Sequence, residues 1–303
     1  MIEKYYSGVI EQIYNRIGKE TRNIVMANYS NDFSIENLEV IRRYQSNEDN
    51  VFFAYSEFSY NTLVGAYEPF LDIICNMHRR FIGGSFDDFQ KECGVYYLHR
   101  QVLNSYYETG ECFREETVLL NEVAYEQRRM TMVIADMLKK LSEVKPLMIV
   151  INRFQMASKS SIETIKYLID NPCANIGIVL GVNPIVKGTD STVEVWDRIV
   201  ESLEDRSAIY YIGSAGPLKN NVKTTNDDEL YITMNFEQSI QEASNIMEFL
   251  DFEQARRGCR IIEHKLKFED AWIDEKSLRR FYMVYARTVS YTHLRAHETL
   301  MNL

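Results

Sequence analysis

The chain has 303 residues, 46% of them hydrophobic, and carries 44 Asp plus Glu against 34 Lys plus Arg, a formal charge of −10. Such acidity excludes a broad electrostatic grip on nucleic acid or anionic lipid, both of which require clustered cations. No apolar run is long enough for a membrane helix, and the opening MIEKYYSGVIEQIYNRIGKE lacks a signal peptide's apolar centre, so a cytoplasmic protein without membrane contact is expected.

Apolar periodicity predicts an amphipathic helix over 2–17, with Ile2, Tyr5, Tyr6, Val9, Ile13 and Ile17 on one face. RNIVMA at 22–27 reads as a first strand. The turn-rich NYSND precedes a helix predicted over 33–43, capped by Asp32 or Ser34. VFFAY at 51–55 is a second strand, and a mainly helical stretch follows from 67 to 141. A third strand at 147–151 leads into a helix at 160–169, a fourth strand occupies 175–182, a helix covers 193–203, and AIYYI at 208–212 is a fifth strand. Short strands alternating with helices predict an α/β fold with a parallel sheet.

From 235 onward the pattern is helical only. The expected organisation is an α/β domain over 1–218, a linker over 219–234 rich in Gly, Asn, Asp and Thr, and a helical segment over 235–288 that could open a helical repeat array. The last residues, 289–303, read VSYTHLRAHETLMNL. They resemble the translated read-through of a sequencing adapter, which implies an artefactual tail on a truncated chain. His293 and His297 within it lack the acid of H-E-x-x-H, and no metal role is expected of them.

Cys75, Cys93, Cys112, Cys173 and Cys259 form no C-x-x-C pair, so reduced thiols rather than a zinc or redox site are expected. His99 and His264 stand alone in helical contexts and read as structural or exposed. Ser160 and Ser161 lack a paired His and a G-x-S-x-G elbow, so nucleophilic hydrolysis has no support.

A parallel sheet of this kind raises the question of phosphate binding, which needs G-x-x-x-x-G-K-[ST] after the first strand. Glycines let backbone N–H groups wrap the phosphates, Lys neutralises them, and the hydroxyl holds Mg²⁺. Here NYSNDFSI fills that place. Asn28 and Phe33 occupy the glycine positions, Ser34 the lysine position and Ile35 the hydroxyl position. Gly18 and Lys19 in RIGKET precede the first strand and are followed by Glu20, so they are not the motif.

KPLMIVINRFQMASKSSIETIKYLI resembles the second nucleotide motif of the STAND group of AAA-related ATPases, which typically reads P-L-hhhh-D-D-L-[HQ]-W-A-D-x-x-S. Pro146, Leu147, Gln155, Ala157, Ser161, Ile162, Ile165 and Leu168 keep its frame. Asn152 and Arg153 stand where the Asp pair belongs, and Ser158 replaces the later Asp. YEPFLDII at 67–74 is similar to that family's proline-containing helix start, and Asn183 stands nearest its fourth-strand arginine. The resemblance spans 21–218.

What the resemblance implies is a P-loop NTPase-like domain with vestigial pocket positions Asn28, Phe33, Ser34, Ile35, Asn152 and Arg153, no catalytic residue, no metal and no cofactor. It would serve a bacterial signalling regulator as a regulatory or protein-interaction module, its partners being other proteins or further C-terminal domains. In this family a DNA-binding domain or a GGDEF-type diguanylate cyclase is a typical output. Two alternatives remain. One is nucleotide binding without hydrolysis, with Arg153 or Asn28 contacting phosphate. The other is an interaction scaffold unrelated to ATPases, against which a third strand beside the first would count.

Overall fold

The structure is a computed structural model that describes residues 2–28, 38–46, 50–58, 63–115, 118–119, 122–182, 199, 209–211, 236–268 and 274–301. In chain order the elements are α1 (Ile2–Arg16), β1 (Ile24–Asn28), α2 (Glu39–Ser46), β2 (Phe52–Glu57), α3 (Phe70–Met77), α4 (Phe86–Glu92), α5 (Tyr97–Thr109), α6 (Val123–Val144), β3 (Leu147–Asn152), α7 (Lys159–Asp170), β4 (Ile176–Val182), β5 (Ile209–Tyr211), α8 (Phe236–Glu248), α9 (Phe252–Phe268) and α10 (Glu275–Met301). The expected mixed α/β architecture with a parallel sheet is present. No described helix is long and apolar enough to cross a membrane.

The chain divides into two compact units. The first comprises 1–59, 67–84 and 134–225; the second comprises 60–66, 85–133 and 226–303. The expected linker at 219–234 lies outside the described residues, as does most of the helix expected at 193–203, where only Ile199 is described and is helical.

The first unit holds a five-stranded parallel sheet in the order β2-β3-β4-β1-β5. Every residue of β3 (LMIVIN) and β4 (IGIVLGV) is buried, the signature of strands covered on both faces. The third strand does not adjoin the first, because β4 is inserted between them; by that criterion the sheet does not exclude an unrelated scaffold. The strands connect in opposite senses about one line. From β1 the chain crosses to β2 at one edge, whereas from β4 it crosses to β5 at the other. β1 and β4 are adjacent, so their carboxyl ends mark the topological switch point, where open α/β sheets form a crevice.

Helix α1 covers β4. Tyr6, Val9, Ile10 and Ile13 are buried, an i, i+3, i+4, i+7 stripe. Tyr5, expected on that face, is 61% exposed, being one residue off the stripe, while Ile10 belongs to it. The close approach depends on two glycines of β4. A Cβ at Gly177 would lie 2.8 Å from Ile17 and 2.9 Å from Ile13; one at Gly181 would lie 2.1 Å from Tyr6 Oη. These contacts run α1 antiparallel to β4, with Tyr6 toward the strand's carboxyl end. Helix α2 begins at Glu39, and Asp32 and Ser34, the expected caps, lie outside the described residues.

A buried serine cluster fixes the start of α7. Ser158 Oγ accepts from the Ser161 amide at 3.4 Å and lies 3.0 and 2.9 Å from the Ser160 and Ser161 hydroxyls. Ser161 donates to the Glu68 carbonyl at 2.6 Å, and Ser160 accepts from the Tyr67 amide at 3.0 Å. The serines that keep the frame of the motif are therefore helix-capping and packing groups.

In the second unit, α8, α9 and α10 are the helices expected from 235 onward. Phe252 stacks on Tyr291 at 4.0 Å beside buried Val123 and Leu250. Among the described residues all five cysteines are free thiols.

Candidate functional site

The carboxyl edge of the sheet is the place to look for chemistry. Its strand ends are Asn28 (β1), Glu57 (β2), Asn152 (β3), Val182 (β4) and Tyr211 (β5). Asn28 is paired with Val182 and Tyr211, directly at the switch point. Phe33, Ser34, Ile35 and Asn183 lie outside the described residues. Of the six predicted pocket positions, Asn28, Asn152 and Arg153 are thus placed on this edge.

Asn152 and Arg153 are adjacent in sequence but diverge in space. Asn152 is fully buried, and its Oδ1 lies 2.8 Å from the Cβ position of Gly181, close to Tyr6. Arg153 adopts a left-handed conformation, φ 54° and ψ 39°, at the start of a short 3-10 turn over Phe154–Met156. That turn of the backbone sends its side chain toward β2. There Nη1 lies 3.1 Å from Glu57 Oε1 and 3.5 Å from the Phe58 carbonyl oxygen. Both side chains of the pair are mostly buried, at 20% and 17% exposed. The other Glu57 oxygen accepts a hydrogen bond from Tyr55.

The sequence reading missed Glu57. It sits two residues beyond Tyr55, where the strand was expected to stop, and register pairs it directly with Asn152. The legible signal was alternation, since Tyr55 and Glu57 share one face of β2.

This edge can hold an internal ion pair and not, with these groups, a magnesium ion. Mg²⁺ demands carboxylate or phosphate oxygens in octahedral geometry. The one carboxylate among the five strand ends already carries a guanidinium and a phenol, and the neighbouring carboxamide is sealed beneath α1. Among the described residues no group of three or more His, Cys, Asp or Glu is placed to hold a metal. Gly18, with φ 78°, turns the chain at the end of α1 and donates its amide to the Ala174 carbonyl; Lys19 Nζ bonds the Asn15 carbonyl.

The second unit contains a buried polar group of another kind. His99 is fully buried on α5, its Nε2 2.8 Å from Glu126 Oε2, while Arg129 reaches Glu126 Oε1 at 3.3 Å. The imidazole N–H is not aimed at the carboxylate, so this is a close approach rather than a hydrogen bond. Burial, with the Arg114 and Arg129 charges nearby, pushes His99 down to about 3. It is neutral at ordinary pH and serves packing. His264 on α9 is exposed.

No protein-family model matches the chain, and no curated protein matches its sequence.

Proposed function

We propose that the first unit is a degenerate STAND-like ATPase domain that works by conformation and contact, as a regulatory or protein-interaction module, without turning over ATP. The Arg153–Glu57 ion pair carries this reading. It puts a neutralised cation at the strand end where the family's motif has its acid pair, and it removes the free carboxylate a magnesium nucleotide would need. The residues present do not fit that group.

The frame of the motif supports descent from such a domain: an all-buried β3, a left-handed residue at its end, and a capped α7 follow one another in the order of the resembling stretch. Asn28 at the switch point adds to it, since that is where a parallel sheet offers a crevice. The same ion pair argues against Arg153 as a substitute phosphate ligand, because its charge is already engaged within the fold.

Titration of the full chain with fluorescent ATP, with and without Mg²⁺, tests the proposal. The expected result is no Mg²⁺-dependent binding and no phosphate release. Micromolar, Mg²⁺-dependent binding with turnover would overturn it. Affinity that survives chelation and weakens on Arg153→Ala would point instead to nucleotide binding without hydrolysis.

A further inference from the structure

The chain passes from the second unit to the first between Ala66 and Tyr67, and each side of that passage is fastened within its own unit. On the second-unit side Leu63, Val64 and Ala66 are buried. Leu63 lies on the bare Gly258 of α9: a Cβ there would stand 2.7 Å from Leu63 Cδ2 and 3.5 Å from Ala243 of α8. One residue later the Val64 carbonyl accepts a hydrogen bond from Gln254 Nε2 at 3.2 Å.

On the first-unit side the fastening is the serine cluster at the head of α7. The Tyr67 amide donates to Ser160 Oγ at 3.0 Å, and Ser161 donates to the Glu68 carbonyl at 2.6 Å. Tyr67 is buried with φ 59°, a left-handed conformation that a bulky residue keeps only where its surroundings hold it. Its carbonyl accepts from the Phe70 and Leu71 amides at 2.8 and 3.3 Å, at the start of α3. The cluster therefore secures the heads of two helices.

Between the Val64 and Tyr67 fastenings lie three residues of chain, which span about 11 Å at full extension. Such a link has little slack, so a displacement of one fastening by several ångströms must release the other. The next passage differs. At 84/85 the chain runs through Gly83 and Gly84, both at positive φ (69° and 71°), with nothing within 4 Å of either Cβ position. Helix α6 crosses the division at 133/134 without a break, and it offers no comparable point of release.

We infer that residues 63–68 are a short tie through which the state of the helical unit sets that of the serine cluster, and the reverse. A shift of α9 that takes Leu63 off Gly258 draws Tyr67 away from Ser160. It thereby loosens the head of α7, the helix that follows Asn152 and Arg153 in the chain. The tie rests on the reading of the first unit as a module that works by conformation, and it names the lever. It needs no nucleotide, so an amide-exchange test and the ATP titration can each fail without the other.

Hydrogen exchange of the full chain, read by mass spectrometry on peptides covering 67–71 and 159–165, tests the tie. Gly258→Val wedges a side chain under Leu63 and should speed exchange in both peptides about fivefold or more. Coupling is reciprocal, so Ser160→Ala should speed exchange in α9 around Gln254 and Gly258. Ser160→Ala is a mild truncation, and its arm stays readable where Gly258→Val unfolds the second unit. Inserting Gly-Ser-Gly-Ser between Ala66 and Tyr67 slackens the tie, leaves α6 intact and should abolish both effects. Exchange changes confined to the unit that carries the substitution, or effects of equal size in the slackened chain, overturn the inference.

Discussion

Arg153 and Glu57 meet at 3.1 Å across the ends of β3 and β2, so the cation at the end of β3 is neutralised within the fold. Removing one partner leaves the other charge largely buried, which costs more than the pair contributes. Arg153→Ala and Glu57→Gln should each destabilise the first unit by about 1–3 kcal/mol. The double substitution should cost clearly less than the two together, because neither charge is then stranded. Denaturant melts of the four proteins measure this coupling, and strict additivity would contradict the ion pair's role.

The packing of α1 on β4 makes Gly181 intolerant of a methyl group. Gly181→Ala would place a carbon 2.1 Å from Tyr6 Oη and 2.8 Å from Asn152 Oδ1, and the fully buried Tyr6 ring has little room to retreat. Overpacking of this kind costs about 1–3 kcal/mol. Adding Tyr6→Phe removes the nearest atom and should restore part of the loss. A thermal melt in which Tyr6→Phe gives Gly181→Ala no relief would show that the clash is relieved elsewhere.

His99 makes the second unit acid-sensitive. Its folded value is lowered from 6.5 to about 3, so between these values the unfolded chain binds a proton that the folded one does not. The stability it contributes is complete above 6.5 and declines as pH falls, at about 1.4 kcal/mol per pH unit. Carboxylates also titrate at the lower end, so the comparison is with His99→Gln. That variant should lose less stability than the wild type between pH 6.5 and 5. Parallel curves for the two proteins would mean that His99 takes up its proton in the folded state.

Thiol accessibility should split the cysteines. Cys75 and Cys259 are buried, and burial pushes both thiols up to about 12, so little thiolate forms at neutral pH. Cys93 and Cys173 are partly exposed. Timed alkylation of the native chain at pH 8, read by mass spectrometry, should modify Cys93 and Cys173 well before Cys75 and Cys259. Equal rates across all of them would indicate global rather than local exposure.

Much of the first unit could be read directly from apolar pattern. β3 and β4 are continuous runs of Leu, Ile, Val and Met, and such runs announce strands buried on both faces. Strand order could not be read in the same way, because no local pattern states that β4 lies between β1 and β3. The site was half legible. Asn152 and Arg153 were visible as departures from an acidic motif, but Glu57 belongs to a distant strand and reaches them only through register. The second unit was the least legible part, since its helices meet in space, and helical periodicity gives no inter-helix pairing.

The glycines of β4 have one more implication. With Gly177 and Gly181 bare on the face where α1 lies, the middle of the sheet carries a furrow into which Tyr6, Ile13 and Ile17 fit. Such a lock and key need not be covalently joined. A chain started after α1 and a synthetic peptide of residues 2–17 should reassemble in trans, making the first helix a detachable reporter of whether the sheet beneath it has formed.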